Sequence, residues 1–309
     1  MQIRQIYGLR DAIGDVGIEL EMEYAEQLPA VINGRDQVFN KHWKVGLDGS
    51  LRGAGCEYST RGPRKMGDVP EALEGLKPYL GELFKPRVSS RAATHFHINC
   101  QERTMDEVMV ITTAWWWCEQ LMTQYFDPMR DGNLFCLGVH HANYAPVHFA
   151  ERKSKGRMPD PHHDSFMNCR YAALNLASLS KFGSLEFRCM PSTTNVRDLD
   201  IWSRMCYNVC KVYESYKSPA EFMDAVFHKG AKDILYSIFR IDSVVDELTK
   251  RPDYERLLQA NIALLVNYAY GGHLFNGVKK KNPPEEMYPW AGGVDEDFED
   301  PEWGEIVDD

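Results

Sequence analysis

The chain has 309 residues, enough for one large domain or two small ones, and its 44% hydrophobic content is that of an ordinary globular protein. The formal net charge of −10 is lopsided: nine of the 45 acids crowd residues 295–309, which hold no Lys or Arg, so the body is close to neutral. A near-neutral body does not draw polyanions by bulk charge, so nucleic acid is not expected as a partner. Residues 291–309 read as an acidic, solvated, mobile tail. Eight cysteines occur without a C-x-x-C pair and sit mostly in apolar segments, the pattern of reduced, buried thiols. Met1 to Gln5 lack the apolar core of a secretory leader, and no apolar run approaches the roughly 18–20 residues of a membrane span. The expectation is a soluble, cytoplasmic protein with no membrane partner.

Gly17-Ile18-Glu19-Leu20-Glu21-Met22-Glu23 is the first strong element. Its period of two predicts a strand, with Ile18, Leu20 and Met22 in the core and Glu19, Glu21 and Glu23 on the other face. Three acids along one sheet face repel, which makes sense if cations sit among them. Hard carboxylate oxygens suit Mg²⁺ or Mn²⁺. Leu28 to Asn40 reads as loop or a short edge element. Trp43 to Leu51 runs into an Asp-Gly turn and Cys56 to Ser59 returns, a hairpin with Asp48 at its tip and Glu57 on the returning arm.

Asp68 to Phe84 has helical spacing that Pro78 must break or kink. Thr94 to Asn99 alternates again and puts His95, His97 and Asn99 on one face. Neutral imidazoles there offer metal ligands or hydrogen bonds to phosphate or carboxylate. Thr104-x-x-Glu107 is a capping box opening a long helix to Asp127, whose Trp115-Trp116-Trp117 run is expected to pack on a sheet. Residues 128–168 are loop-rich and carry His140, His141, His148, His162 and His163. Their spacing fits no zinc-ligand pattern. A substrate-binding loop or lid is the better reading, with Arg130, Arg152 and Arg157 placed to reach an anionic substrate.

Asn168 to Ala177 and Ser184 to Met190 read as two strands of a hairpin, joined by Ser180-Lys181-Phe182-Gly183. Glu186 and Arg188 share one face; alone they could be a surface pair, but beside the other acids and histidines they read as a metal ligand next to a phosphate-binding guanidinium. Arg170 has the wrong parity to share a face with Asn175 and needs a bulge or a place at the strand mouth. From Asn195 the pattern turns helical, with Ser218-Pro219-x-Glu221 starting a further helix and another helical stretch from Ser243 to Tyr270. No G-x-G-x-x-G or G-x-x-x-x-G-K loop occurs. The whole reads as α+β: a sheet with helices packed on one face and acids, His and Arg lining the other.

Gly17-x-Glu19-x-Glu21, Asp48-Gly49-Ser50-Leu51, Gly55-x-Glu57-x-Ser59, His95-x-His97, Arg170-Tyr171-x-x-x-Asn175 and Glu186-Phe187-Arg188 occur in that order. This series, over about residues 14–215, resembles the amidoligase branch of the carboxylate–amine ligases related to glutamine synthetase and glutamate–cysteine ligase. Members occur in bacteria and often in phages. The resemblance implies a curved antiparallel sheet with a polar catalytic face, and an ATP- and Mg²⁺-dependent (or Mn²⁺-dependent) amide-forming ligase. It implies metal sites at Glu21, Asp48 and Glu57 and at Glu19, His95 and Glu186. Arg188 would steady the transferring phosphoryl group, and His97, Arg170 and Asn175 would contact the nucleotide. Glu57 is a candidate to take the proton of the attacking amine. A phosphotransferase on the same sheet, or a non-catalytic scaffold with a degenerate site, are the alternatives. Residues 1–290 are expected to form a single catalytic domain whose last part, about 216–280, is helical. The expected partners are an amino acid or amine, or a peptide or protein substrate; an oligomer is compatible with the family.

Overall fold

The computed structural model describes residues 1–24, 37–38, 40–52, 54–80, 86–87, 89–141 and 168–270. Its central strand, β1 (Val16–Tyr24), follows the alternation read above: Val16, Ile18, Leu20, Met22 and Tyr24 are buried in the hydrophobic core. The other strands are β2 (Gln37–Val38), β3 (Trp43–Leu47), β4 (Ala54–Thr60), β5 (Pro86–Arg87), β6 (Ala93–Asn99), β7 (Leu174–Asn175) and β8 (Ser184–Pro191). They form one antiparallel sheet in the order β2-β3-β4-β1-β6-β8-β7, with β5 paired to the end of β1. The hairpin of β3 and β4 sets Gly46 opposite Glu57, and Asp48 lies in its turn, where its Oδ1 accepts from the Ser50 N–H at 2.7 Å. One irregularity marks the pairing of β6 with β8. Phe96 faces Phe187 and Thr94 faces Met190, so β8 carries one extra residue opposite His95.

Among the described residues the helices are α1 (Ile3–Tyr7), α2 (Val69–Leu76), α3 (Met105–Phe126), α4 (Ser178–Phe182), α5 (Val196–Val209), α6 (Pro219–His228), α7 (Ala231–Phe239), α8 (Asp242–Thr249), α9 (Tyr254–Gln259) and α10 (Ile262–Tyr270). Most lie on the apolar side, but α4 borders the polar face, with Ser178 against Glu186 and Phe182 against His97. The capping box of α3 forms as read, with the Glu107 carboxylate accepting from the Thr104 N–H at 2.7 Å and the Thr104 hydroxyl accepting from the Glu107 N–H at 3.3 Å. Pro70 starts α2, and the helix passes into a 3₁₀ turn, Lys77–Tyr79, at Pro78. The Trp43 indole N–H donates to the Ala72 carbonyl at 2.7 Å and ties β3 to α2.

The tryptophan run serves more than the sheet. Trp115 meets Phe187 of β8 edge-on at 4.7 Å, whereas Trp116 meets Tyr268 of α10 at 5.5 Å and Trp117 meets Phe222 of α6 at 6.0 Å. Successive helical residues turn by about 100°, so three in a row face three directions. α3 is therefore a middle layer between the sheet and the C-terminal helices.

Two readings are corrected. The segment 168–177 is not a strand throughout: Asn168–Tyr171 is a 3₁₀ turn, and β7 has two residues. The link to β8 is α4 instead of a loop, closed by Gly183 at φ 71°, a left-handed conformation that glycine takes without strain. The helical stretch from Ser243 is three helices, and α7, not singled out in the sequence, precedes them. Cys56, Cys100, Cys118, Cys136, Cys189, Cys206 and Cys210 are buried and free. Among the described residues no helix is long and apolar enough to cross a membrane.

Candidate active site

The polar sheet face is built row by row from the strand register. Glu21 of β1 stands opposite Glu57 of β4; Glu19 stands opposite Ser59 on one side and His95 of β6 on the other. In the next row Gly17, His97, Glu186 and Asn175 face one another across β1, β6, β8 and β7. Residues about 170 positions apart in the chain thus become neighbours through the pairing alone.

Two clusters of prospective cation ligands result. Glu21, Asp48 and Glu57 bring a carboxylate oxygen each within 4.8 Å of the others, and Glu19, His95 and Glu186 do the same with two carboxylates and an imidazole. His95 joins the clusters: its Nδ1 is 3.6 Å from Glu19 and 3.7 Å from Glu186, and its Nε2 is 3.8 Å from Glu21. His97 Nε2 lies 3.4 Å from Glu19, and its Nδ1 is 3.2 Å from the Ser184 hydroxyl. Arg188 pairs with Glu186 through one terminal nitrogen, and its Nε donates to the Phe135 carbonyl at 3.4 Å. A cavity of about 310 Å³ opens beside these groups, between Gly17, Lys44, Glu57, His97 and Phe182.

The electrostatics divide the carboxylates. Burial, then the charges of Asp48 and Glu57, push the Glu21 carboxyl up to about 8 against the opposing pull of Arg188 and the Ala93 N–H. Burial would also raise Glu19, but hydrogen bonds from His95 and His97 outweigh it and hold that carboxyl below the usual range. For Glu186, burial is outweighed by His97, Arg188 and His95, again giving a lowered value. Burial and Arg188 lower His95, which favours its neutral, ligating form. His97 is raised: burial opposes this, but Glu186 and Glu19 prevail.

The donor sets fit divalent cations. Three crowded oxygens, one held protonated near neutrality by burial and then by the charges of Asp48 and Glu57, would be relieved by a positive charge among them. This has a measurable consequence. The folded Glu21 carboxyl holds its proton up to about 8, above its unfolded value, so in cation-free protein its contribution to stability is full at low pH and is lost as pH rises toward 8. Glu21→Gln removes that loss. In chelator at pH 8.5 the variant is expected to melt roughly 2–6 °C above the wild type, with no gain at pH 5. Equal melts at pH 8.5 would show that the crowding costs nothing.

Other candidates fall differently. The Asn175 side chain donates to the Glu186 carboxylate at 2.6 Å, so its amide orients a carboxylate. Arg170 lies exposed in the 3₁₀ turn, its guanidinium over the Tyr171 ring at 4.4 Å. Glu23 joins neither cluster and accepts from the Arg52 N–H at 2.8 Å. Arg130 does not face a substrate: it is 1% exposed and donates to the carbonyls of Ser90 and Arg188 at 3.1 and 3.0 Å. Arg152, Arg157, His148, His162, His163 and the acidic tail lie outside the described residues.

Two contributors, Ser178 and Glu119, escaped the sequence reading, and a third, Arg130, was read there with a different role. The Ser178 hydroxyl donates to Glu186 at 3.2 Å. Arg130 supports the backbone of Arg188. Glu119, buried on α3, accepts from the Trp115 indole at 3.0 Å and from the Val139 N–H at 2.5 Å, holding the segment that carries Phe135. Only Ser178 had a local signal, three residues after Asn175 at a helix start.

Fold and site together define an α+β protein whose antiparallel sheet carries, on one polar face, two adjoining clusters of candidate cation ligands and a guanidinium. Residues 68–210 match the sequence family described as "Putative amidoligase enzyme". The resemblance drawn from the motifs holds over that span, which includes His95, His97, Arg170, Asn175, Glu186 and Arg188. Among curated proteins no relative matches the chain.

Proposed function

We propose that this protein is an ATP- and Mg²⁺-dependent carboxylate–amine ligase acting through an acyl phosphate. The observation that carries the reading is the pair of clusters, Glu21-Asp48-Glu57 and Glu19-His95-Glu186, joined by His95 and flanked by Arg188. Mg²⁺ or Mn²⁺ would be held by these residues, and when bound would neutralise phosphate oxygens. The chain's own groups then do the following. Arg188 directs N–H donors at the charge that builds on a transferring phosphoryl group, from a position fixed by Glu186, the Phe135 carbonyl and the Arg130-braced backbone. His97, held between Ser184 and Glu19, orients a ring N–H beside the cavity. Glu57 lines that cavity and would take a proton from an amine entering it. The buried face strengthens each of these interactions relative to water. Nothing in this chemistry needs a Ser or Cys nucleophile, because the activated species is made on the substrate.

The test is ADP and phosphate release from ATP and Mg²⁺ with pooled amino acids and amines, with mass spectrometry of the products. The expected product is an amide, the mass of acid plus amine less one water, formed with ADP. A stable phosphorylated compound would establish a phosphotransferase instead. Absence of both ATP and Mg²⁺ binding would leave a scaffold.

A further inference from the structure

We infer that Asp131, His140 and His141 form a binding site for one zinc-class transition-metal ion, apart from the two clusters of the sheet. Asp131 follows the 3₁₀ turn Pro128–Arg130 that comes after α3, and the two histidines follow Val139, whose N–H donates to Glu119 back on that helix. Each of the three offers a ligand atom, and these atoms lie within 4.8 Å of one another. The carboxylate is already oriented. Its Oδ2 accepts from Gln120 at 2.9 Å and from Gln124 at 3.4 Å, two side chains one turn apart on α3. Its Oδ1 is thereby left facing His140 Nε2 at 3.6 Å. Outer hydrogen bonds of this kind fix the direction of a ligating oxygen before an ion arrives.

The histidines are held with equal care. Their ring centroids are 3.8 Å apart, a separation at which two imidazolium ions would repel, so the pair favours the neutral, ligating form. The His141 N–H donates to the Gly138 carbonyl at 2.9 Å, and the neighbouring Val139 N–H is held by buried Glu119. Gly138 gives the His140 ring its room: a Cβ there would come within 2.9 Å of His140 Cε1. Two imidazole nitrogens and one carboxylate oxygen suit Zn²⁺ and its neighbours, and suit Mg²⁺ poorly. The same segment supplies the Phe135 carbonyl that accepts from Arg188. An ion at its end would pin that segment to α3, whether or not the ligase reading holds.

The experiment is a chelator-competition titration of the full chain with Zn²⁺ in 5 mM Mg²⁺, a concentration on the order of that used to saturate hard oxygen sites. Wild type is compared with His140→Ala, His141→Ala, Asp131→Asn and Glu186→Gln. All three candidate ligands are solvent-exposed, and circular dichroism checks that each variant is folded. Wild type is expected to take up one equivalent more than either alanine variant. Asp131→Asn should weaken that equivalent by about tenfold or more, and Glu186→Gln should retain it. Hydrogen exchange of residues 133–141 should slow with Zn²⁺ in wild type and not in His141→Ala. Zinc uptake unchanged by both alanine substitutions, or lost only in Glu186→Gln, would overturn the assignment.

Discussion

Glu186→Gln is expected to lower turnover in the proposed ligase reaction by about 1,000-fold or more, the order of loss seen when one strong electrostatic contact to a transition state is removed. Glu186 lies where the most separate elements meet. Its carboxylate receives Asn175 from β7, Ser178 from α4 and Arg188 from its own strand, and stands 3.7 Å from His95. A glutamine keeps the shape and one accepting oxygen, so Asn175 and Ser178 retain a partner. It loses the anion that a cation requires and that fixes Arg188. The thermal cost should stay within a few degrees and should have the sign opposite to that of Glu21→Gln. The Glu186 carboxyl is lowered in the folded protein, so it adds stability above its unfolded value, and that contribution is lost only as pH falls into the acid range. Turnover and melting curves of both variants at pH 8.5 make the comparison. A Glu186→Gln protein that turns over normally would remove Glu186 from the site. One that fails to fold, with unchanged specific activity of its folded fraction, would make the residue structural.

Arg188→Lys should be nearly as damaging, roughly 10²–10³-fold in kcat, because a single ammonium cannot reproduce a guanidinium that engages partners in two directions. Arg188 bonds Glu186 through one terminal nitrogen and the Phe135 carbonyl through Nε. Lysine preserves the charge and one of these contacts at most. The change should appear in kcat more than in KM, since in the proposed mechanism the donors matter most when charge moves onto the phosphoryl oxygens. Near-normal kcat would take Arg188 out of the mechanism.

The sheet was legible wherever its strands alternate. Ile18, Leu20 and Met22 against Glu19, Glu21 and Glu23 define two faces in the sequence, and the structure buries the first set in the core. Thr94 to Asn99 and Ser184 to Met190 read equally well for the same reason. Residues 168–183 misled because small residues such as Ala172, Ala173 and Ala177 carry little preference for strand over turn. There tertiary pairing shortened the strand, and Gly183 closed a helix. At the site, the residues that turn their own side chains to the polar face were visible as period-two acids and histidines. The supporting ones were not. Glu119 and Arg130 lie in a helix and a 3₁₀ turn whose local patterns say only that they are polar. Their partners, Val139 for the first and Ser90 and Arg188 for the second, are set by folding alone. Asp131 was passed over for a similar reason: nothing in the sequence brings it to His140 and His141.

The placement of α3 bears on how the molecule comes apart. Its tryptophans look outward to two different layers, and the Asn261 side chain between α9 and α10 donates to the Trp116 carbonyl at 2.8 Å. Shedding the last helices would strip the outer cover from Trp116 and Trp117 while Trp115 still leaned on Phe187. Two indoles bury on the order of 150–250 Å² each, so a partial opening of this kind exposes enough apolar surface to be costly on its own. The helix that backs the candidate site is thus a wall shared by two layers, and opening the outer one leaves the Trp115–Phe187 contact with β8 in place.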